Sequence, residues 1–240
     1  MARIPAIRHG RPMDVLPAPI DPVPDPWPLA GLTLRTPRLE LRIEDDASLR
    51  ELVEAVHGSG IHPSSELPFR TPWTRADPRY LGRGMAQYYW GNRARASPEW
   101  WTLTFVVRAQ GRVVGMQDVV GDRFGVRREV STGSYLVRHA QGRGHGTEMR
   151  AAVLAFAFDH LGALVARSEY LAGNARSAAV SARLGYRDDG TATIVHDDER
   201  VTEYRVRLDR EAFARPGWEL VVEGYTADLA EFLAAAPPVG

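Results

Sequence analysis

Between a strand-like run and a strongly periodic helix the chain places Gln141-Gly142-Arg143-Gly144-His145-Gly146. A strand-to-helix junction of this kind presents backbone NH groups that have no partner inside the helix and are backed by its dipole, so an anion fits there. Glycines at 142, 144 and 146 leave no Cβ to hold phosphate oxygens off the backbone, and they permit positive φ angles. The sequence therefore predicts a pyrophosphate seat built from backbone over Gly142 to Thr147, with the helix beginning at Thr147. Two familiar phosphate loops do not fit. His145-Gly146-Thr147 lacks the lysine of a Walker loop, and the last glycine of a dinucleotide fingerprint would fall on Thr147.

Periodicity places the other elements. Leu32 to Arg42 alternates around Thr36-Pro37-Arg38 and predicts one edge strand with a bulge. Asp45 and Asp46 cap a helix carrying Leu49, Leu52, Val53 and Val56, ending near Gly58. An irregular stretch from Gly58 to Trp73 follows, of the length that carries function or moves. A helix is predicted from Asp77 to Asn92, a hairpin from Trp100 to Arg108 and Arg112 to Val120, and a strand from Val130 to Arg138. In the helix after the glycine loop, Met149, Ala152, Val153, Phe156 and Ala157 form one apolar face, with Glu148 and Arg150 pointing elsewhere. Then come a strand over Leu164 to Tyr170, a helix over Arg176 to Arg183, and a hairpin of Tyr186 to Val195 with Val201 to Leu208. The His196 to Glu199 cluster reads as a polar hairpin tip rather than a metal site. Gly217 to Ala235 gives a short strand and a helix without an assigned role.

Downstream of the loop stands Asn174-Ala175-Arg176-Ser177, leading to Leu184-Gly185-Tyr186. Together the two motifs resemble the GNAT acyltransferases: a Gln/Arg-x-x-Gly-x-Gly/Ala coenzyme A loop, then Asn-x-x-Ser/Ala and Leu-Gly-Phe/Tyr. Thr36-Pro37-Arg38-Leu39, the Pro68-Phe69 and Pro72-Trp73 pairs, and Gly146-Thr147-Glu148-Met149-Arg150 are similar to the ribosomal-protein N-terminal acetyltransferase branch. They also resemble its actinobacterial members, one of them regarded as a succinyltransferase. The resemblance implies an α/β (mixed α+β) GNAT fold, a twisted, mostly antiparallel mixed sheet flanked by helices, with strands four and five splayed. It spans about residues 31–210, between a proline-rich tail (1–30) and a C-terminal extension (211–240).

The same resemblance implies an acetyl-CoA or succinyl-CoA donor lying between the splayed strands. Backbone groups of Leu136, Val137 and Arg138 would meet the pantetheine and polarise the thioester carbonyl. Gln141, Gly142, Arg143, Gly144, His145, Gly146 and Thr147 would hold the pyrophosphate, and Asn174 with Ser177 the pantetheine amide, Asn174 doubling as a helix cap. Ser181 stands where many members carry the tyrosine that protonates the departing thiolate, which leaves open a reading as a non-catalytic acyl-CoA sensor. A nucleotide-binding module for ATP or NAD is the other alternative. For the general base the candidates are Glu66, enclosed with Phe69 and Trp73 so that desolvation raises its pKa, and Glu129. Ser134, with Ser131, could bond the acyl group or acceptor, and His62 and Arg70 could grip a succinyl carboxylate.

Composition narrows the chemistry further. All thirty basic residues are arginine, and they balance thirty acidic ones, which offers no general attraction for nucleic acid or an anionic membrane. With no cysteine there is no thiolate metal site and no cysteine acyl-enzyme, so transfer to an amine acceptor, a small molecule or a protein N-terminus, is expected to be direct and metal-free. No signal-like or membrane-length apolar run is found, and a cytoplasmic enzyme is expected. Residues 1–30 hold eight prolines. They read as a tail, or as an arm on a second copy in a homo-oligomer with Trp27 and Leu29 as anchors.

Overall fold

A computed structural model describes residues 23, 25–63, 66, 68–196 and 198–236. The proline-rich tail lies outside the described residues through Pro22 and again at Pro24. In chain order the strands are β1 Thr33–Arg35, β2 Leu39–Ile43, β3 Trp100–Ala109, β4 Arg112–Asp122, β5 Glu129–Leu136, β6 Val165–Leu171, β7 Arg187–His196, β8 Glu199–Asp209 and β9 Val221–Glu223. The helices are α1 Asp46–Ser59, α2 Pro78–Arg95, α3 Phe124–Arg127, α4 His145–Phe156, α5 Ala175–Arg183 and α6 Ala227–Phe232. The strands form one sheet in the order β7-β8-β6-β5-β4-β3-β2-β1-β9, all antiparallel except the β5–β6 pair. Those two strands pair only from Glu129 to Ser131, opposite Val165 to Arg167, and then part. The gap between them is the feature of the sheet that matters for a ligand.

Side-chain burial explains the layers. Trp101 to Val107 of β3 and Val113 to Val119 of β4 are buried without a break, which requires cover on both faces of the sheet. The α1–α2 pair supplies one layer against β3 and β4, while α4 packs on β1, β2, β4 and β5. Trp101, Phe105, Phe124, Phe156 and Phe158 are fully buried between these layers. Asp45 caps α1 with a reciprocal bond to Ser48. Among the described residues no helix is long and apolar enough to cross a membrane.

Three expectations are corrected. Thr36-Pro37-Arg38 is a hairpin turn between β1 and β2, not a bulge within one strand, and β1 is not an edge because β9 pairs with it. A proline that cannot donate and a threonine hydroxyl that bonds Leu39 across the turn favour reversal over continuation. Next, α4 is not amphipathic: Glu148 and Arg150 are buried along with its apolar residues. Finally, Trp27 and Leu29 are anchored within their own chain, Leu29 in the core and Trp27 edge-on to Phe232. The C-terminal stretch shares that core. Leu229 and Leu233 are fully buried, and the Trp101 indole donates to Leu233 O at 3.1 Å.

Candidate active site

The glycine loop is a helix start held open from behind. α4 begins at His145, two residues earlier than the sequence suggests, with Gly144 as its N-cap in the left-handed region at φ 82°. Gly142 is left-handed as well, at φ 74°. Gly146 is not: a methyl there would rest 3.7 Å from Leu136 and 3.8 Å from Val180, in ordinary contact. The first bond of α4 runs from Glu148 N to Gly144 O, and among the described residues the NH groups from Gly142 to Thr147 find no acceptor. That row of bare donors at the positive end of a twelve-residue helix suits an anion.

What holds the loop is a latch that sequence reasoning missed. The buried Glu148 carboxylate accepts from Thr36 Oγ1 and from Arg38 Nε, both at 2.6 Å, and from Arg38 N at 3.2 Å. Arg38 also donates to Arg143 O at 3.0 Å. The Thr-Pro-Arg turn and the Gly-Thr-Glu helix start are thus two halves of one contact. Gln141 braces the other side, donating to Ile61 O at 2.6 Å and Leu136 O at 2.8 Å while accepting from Arg176 at 2.8 Å. Arg143 and His145 do not border the cleft. His145 Nδ1 is buried without a partner, and burial lowers the ring's pKa.

A cleft of about 1340 Å³ opens where β5 and β6 part. Gly142, Gly144, Gly146 and Thr147 border it, as do Ser134 and Leu136 of β5, Asn174 and Ser177 of α5, and the aromatic wall of Phe69, Trp73, Tyr89 and Tyr135. Phe69, Trp73 and Tyr135 pack with centroids 5.3–6.1 Å apart, and the Tyr89 and Tyr135 hydroxyls meet at 2.9 Å. A side cavity of about 330 Å³ is lined by Arg138 and Arg176 beside Gln141 and Gly142, a second cationic spot for a phosphate. Asn174 Oδ1 caps α5 by accepting from Ser177 N at 3.1 Å, which leaves its amide NH2 for a ligand.

The backbone of Val137 and Arg138 is not available for the role expected of it. Val137 N donates to Val114 O and Arg138 N to Gly60 O, while their carbonyls accept from Ala140 and Gln141 in a tight turn. Sheet pairing and that turn consume the groups, so any strand-like contact to a ligand falls upstream, on Gly133 to Leu136.

The expected catalytic residues are likewise redistributed. Glu66 borders the cleft but is exposed rather than enclosed. Glu129 lies away from the cleft, bound to Arg167 at 2.9 Å, which holds its carboxyl below the usual range. Ser131 is exposed and does not border the cleft. Ser181 is buried and accepts from Arg150 at 3.1 Å, so its hydroxyl is withdrawn from the cleft. Ser134 borders the cleft and accepts from the same guanidinium at 3.3 Å. Both His62 nitrogens are engaged, with Pro63 O and Thr74 Oγ1 at 2.8 Å, and Arg70 faces the buried Glu203 at 3.5 Å. His62 therefore has no nitrogen to spare for a carboxylate, whereas Arg70 is exposed and borders the cleft.

Asp118 is the residue that the sequence reading overlooked. It sits in the middle of β4, opposite Thr104 of β3 and Gly133 of β5, borders the cleft, and has a buried Oδ1 without a partner. Burial pushes its carboxyl up to about 7, past an opposing pull from Thr104. A carboxylate amid apolar residues in a strand covered on both faces was a readable signal. Among the described residues there is no cluster of His, Cys, Asp or Glu able to hold a metal.

Comparison with known proteins agrees with this fold. The profile of the acetyltransferase (GNAT) domain matches residues 38–187. Mycobacterium smegmatis RimJ, solved in complex with CoA-disulfide, superposes with a TM-score of 0.58 at 21% identity, covering 79% of this chain and 91% of its own. RimL, a ribosomal L7/L12 alpha-N-protein acetyltransferase solved with coenzyme A, gives 0.58 at 14%, covering 74% and 97%. The microcin C7 self-immunity acetyltransferase MccE, with acetyl-CoA and AMP, gives 0.56 at 13%, covering 72% and 93%. At these identities the structural likeness speaks for the fold alone.

Proposed function

We propose, for a chain that belongs to the acetyltransferase (GNAT) family, that it moves an acetyl or succinyl group from coenzyme A to a primary amine by direct transfer in the cytoplasm. The observation that carries this reading is the meeting, in one cleft, of bare amides at the start of α4 and a buried, proton-accepting carboxylate on β4. The amides of Gly142, Gly144, Gly146 and Thr147, which border the cleft, hold the diphosphate, with Arg138 and Arg176 at hand for a further phosphate. Asn174 and Gly133 to Leu136 line the path of the pantetheine.

Asp118 takes a proton from the acceptor's ammonium, and a carboxyl with a pKa of about 7 suits that exchange near neutrality. The freed amine nitrogen attacks the thioester carbonyl; the C–N bond forms, the C–S bond breaks, and the proton that the nitrogen sheds as it becomes an amide goes to the departing sulfur, so that the coenzyme leaves as its thiol. The aromatic wall of Phe69, Trp73 and Tyr135 flanks the place of the acceptor, a small amine or the N-terminus of a protein such as the one that RimL acetylates. Acetyl transfer from acetyl-CoA to a panel of small amines and peptide N-termini tests the reading, and turnover should disappear in Asp118→Asn. One observation favours a second reading, a domain that binds acyl-CoA without turnover: Ser181 is buried against Arg150 and offers no proton to a leaving thiolate. Tight donor binding without transfer to any member of that panel would select it.

A further inference from the structure

Arg150 has no task in the reaction just described, although it borders the cleft and is only 4% exposed. Its guanidinium donates to Ser181 Oγ and Ser134 Oγ, two neutral hydroxyls, and its Nε has no partner. Among the described residues no carboxylate pairs with it; the ionisable group that acts on its charge is the Tyr186 phenol. Elsewhere the chain does otherwise with arginines that leave bulk water: Arg93 is matched to Glu44, and Arg167 to Glu129 and Asp189. A buried cation without an anion is a standing cost of several kcal/mol, removable by an apolar side chain of the same length. Its persistence beside a cleft implies an anion that arrives with a ligand.

The surroundings identify which ligand. Arg150 lies five residues beyond the start of α4, about 7.5 Å along its axis, too deep to share the diphosphate. Its two partners sit on β5 and α5, the elements that border the donor's path. On the acceptor's side stands Asp118, whose carboxylate, ionised to serve as the base, would repel an anionic acceptor. Resting on the reading of the cleft as an acyl-CoA site, we propose that Arg150 is the receptor for a carboxylate at the end of the donor's acyl chain, so that the preferred donor is a thioester of a short dicarboxylic acid. A planar guanidinium already held by two hydroxyls can turn its remaining NH groups to both oxygens of such a carboxylate.

Calorimetric titration of the wild-type protein and of Arg150→Met with free CoA, acetyl-CoA and succinyl-CoA tests this. The wild type should bind succinyl-CoA at least about tenfold more tightly than acetyl-CoA. In Arg150→Met that preference should vanish, free CoA should bind as before, and the melting temperature of the unliganded protein should hold or rise. Equal affinities in the wild type, which needs no variant to measure, would overturn the proposal, as would a preference that survives in Arg150→Met. Free CoA reports on the underlying reading: if it binds while the thioesters are equal, only the carboxylate receptor fails, and if it does not bind, both fail. Arg150-dependent binding of free succinate to the acetyl-CoA complex, with the thioesters equal, would shift the carboxylate to the acceptor and overturn the assignment to the donor.

Discussion

Asp118 makes the sharpest demand at the level of single residues. As a base it must be ionised, so kcat/KM should climb with pH through about 7 and level off above it. Asp118→Asn should remove that limb and lower kcat by about 100-fold or more, measured with saturating donor. The same burial has a stability signature of unusual sign for an aspartate. Its folded pKa lies above the unfolded value, so the folded state holds the extra proton between those two values and loses stability as pH rises through that window. Asp118→Asn should therefore gain melting temperature relative to wild type at pH 8 and much less at pH 4, which thermal melts at the two pH values would check. A second contrast separates two glycines that look alike in the sequence. Gly144→Ala, at φ 82°, should cost about 1–2 kcal/mol and weaken CoA binding, whereas Gly146→Ala, in a helical conformation with room for a methyl, should retain stability or gain slightly in urea titrations. The loop was legible only together with the downstream Asn174 to Ser177 and Leu184-Gly185-Tyr186 segments, because three glycines before a helix are by themselves a weak signal. Spacing could not say which of them bends the chain.

At the level of elements, the contact between the β1–β2 turn and the first turn of α4 sets the position of the bare amides. Glu148 is buried, and Arg38 is about half exposed, so the pair is worth less than a fully buried one. Arg38→Ala should lower stability by about 1–2 kcal/mol and weaken donor binding, with urea unfolding and titration of CoA as the readouts. This latch was half legible. Both halves stand out as short motifs, yet 110 residues separate Arg38 from Glu148, and no local pattern reveals that they touch. Strand and helix assignments succeeded where the apolar signal was long, as an unbroken run in β3 and β4 and as one periodic face in α1. They slipped where the cue was geometric: the proline read as a bulge instead of a reversal, and α4 began before the glycines ended. Glu148 and Arg150 were misread for the same reason. Charge suggested solvent, while tertiary partners and a ligand cleft decided otherwise.

Across the whole molecule, the last strand and helix are part of the core rather than an appendage to it. β9 covers the open edge of β1, Ala236 N bonds Leu161 O at 3.2 Å, and the Tyr225 hydroxyl donates to His160 O at 3.2 Å. Truncation before Gly217 should expose Leu229 and Leu233, strip the Trp101 indole of its acceptor, and abolish a single cooperative thermal transition. This integration was hidden from the sequence because a three-residue strand carries no periodicity. The far hairpin is also tied in: His196 Nε2 meets Phe69 O at 2.5 Å, joining the end of β7 to the aromatic wall. From Glu148 to Phe156 every residue of α4 is buried, so this helix has nowhere to go when a donor docks. Its amide-rich start is a rigid receptor, and on CoA binding hydrogen exchange should slow at the bare amides of the first turn while staying the same from Ala151 to Phe156. A donor seated on so fixed a base would offer its acyl carbon at one place, and the amine would have to come to it.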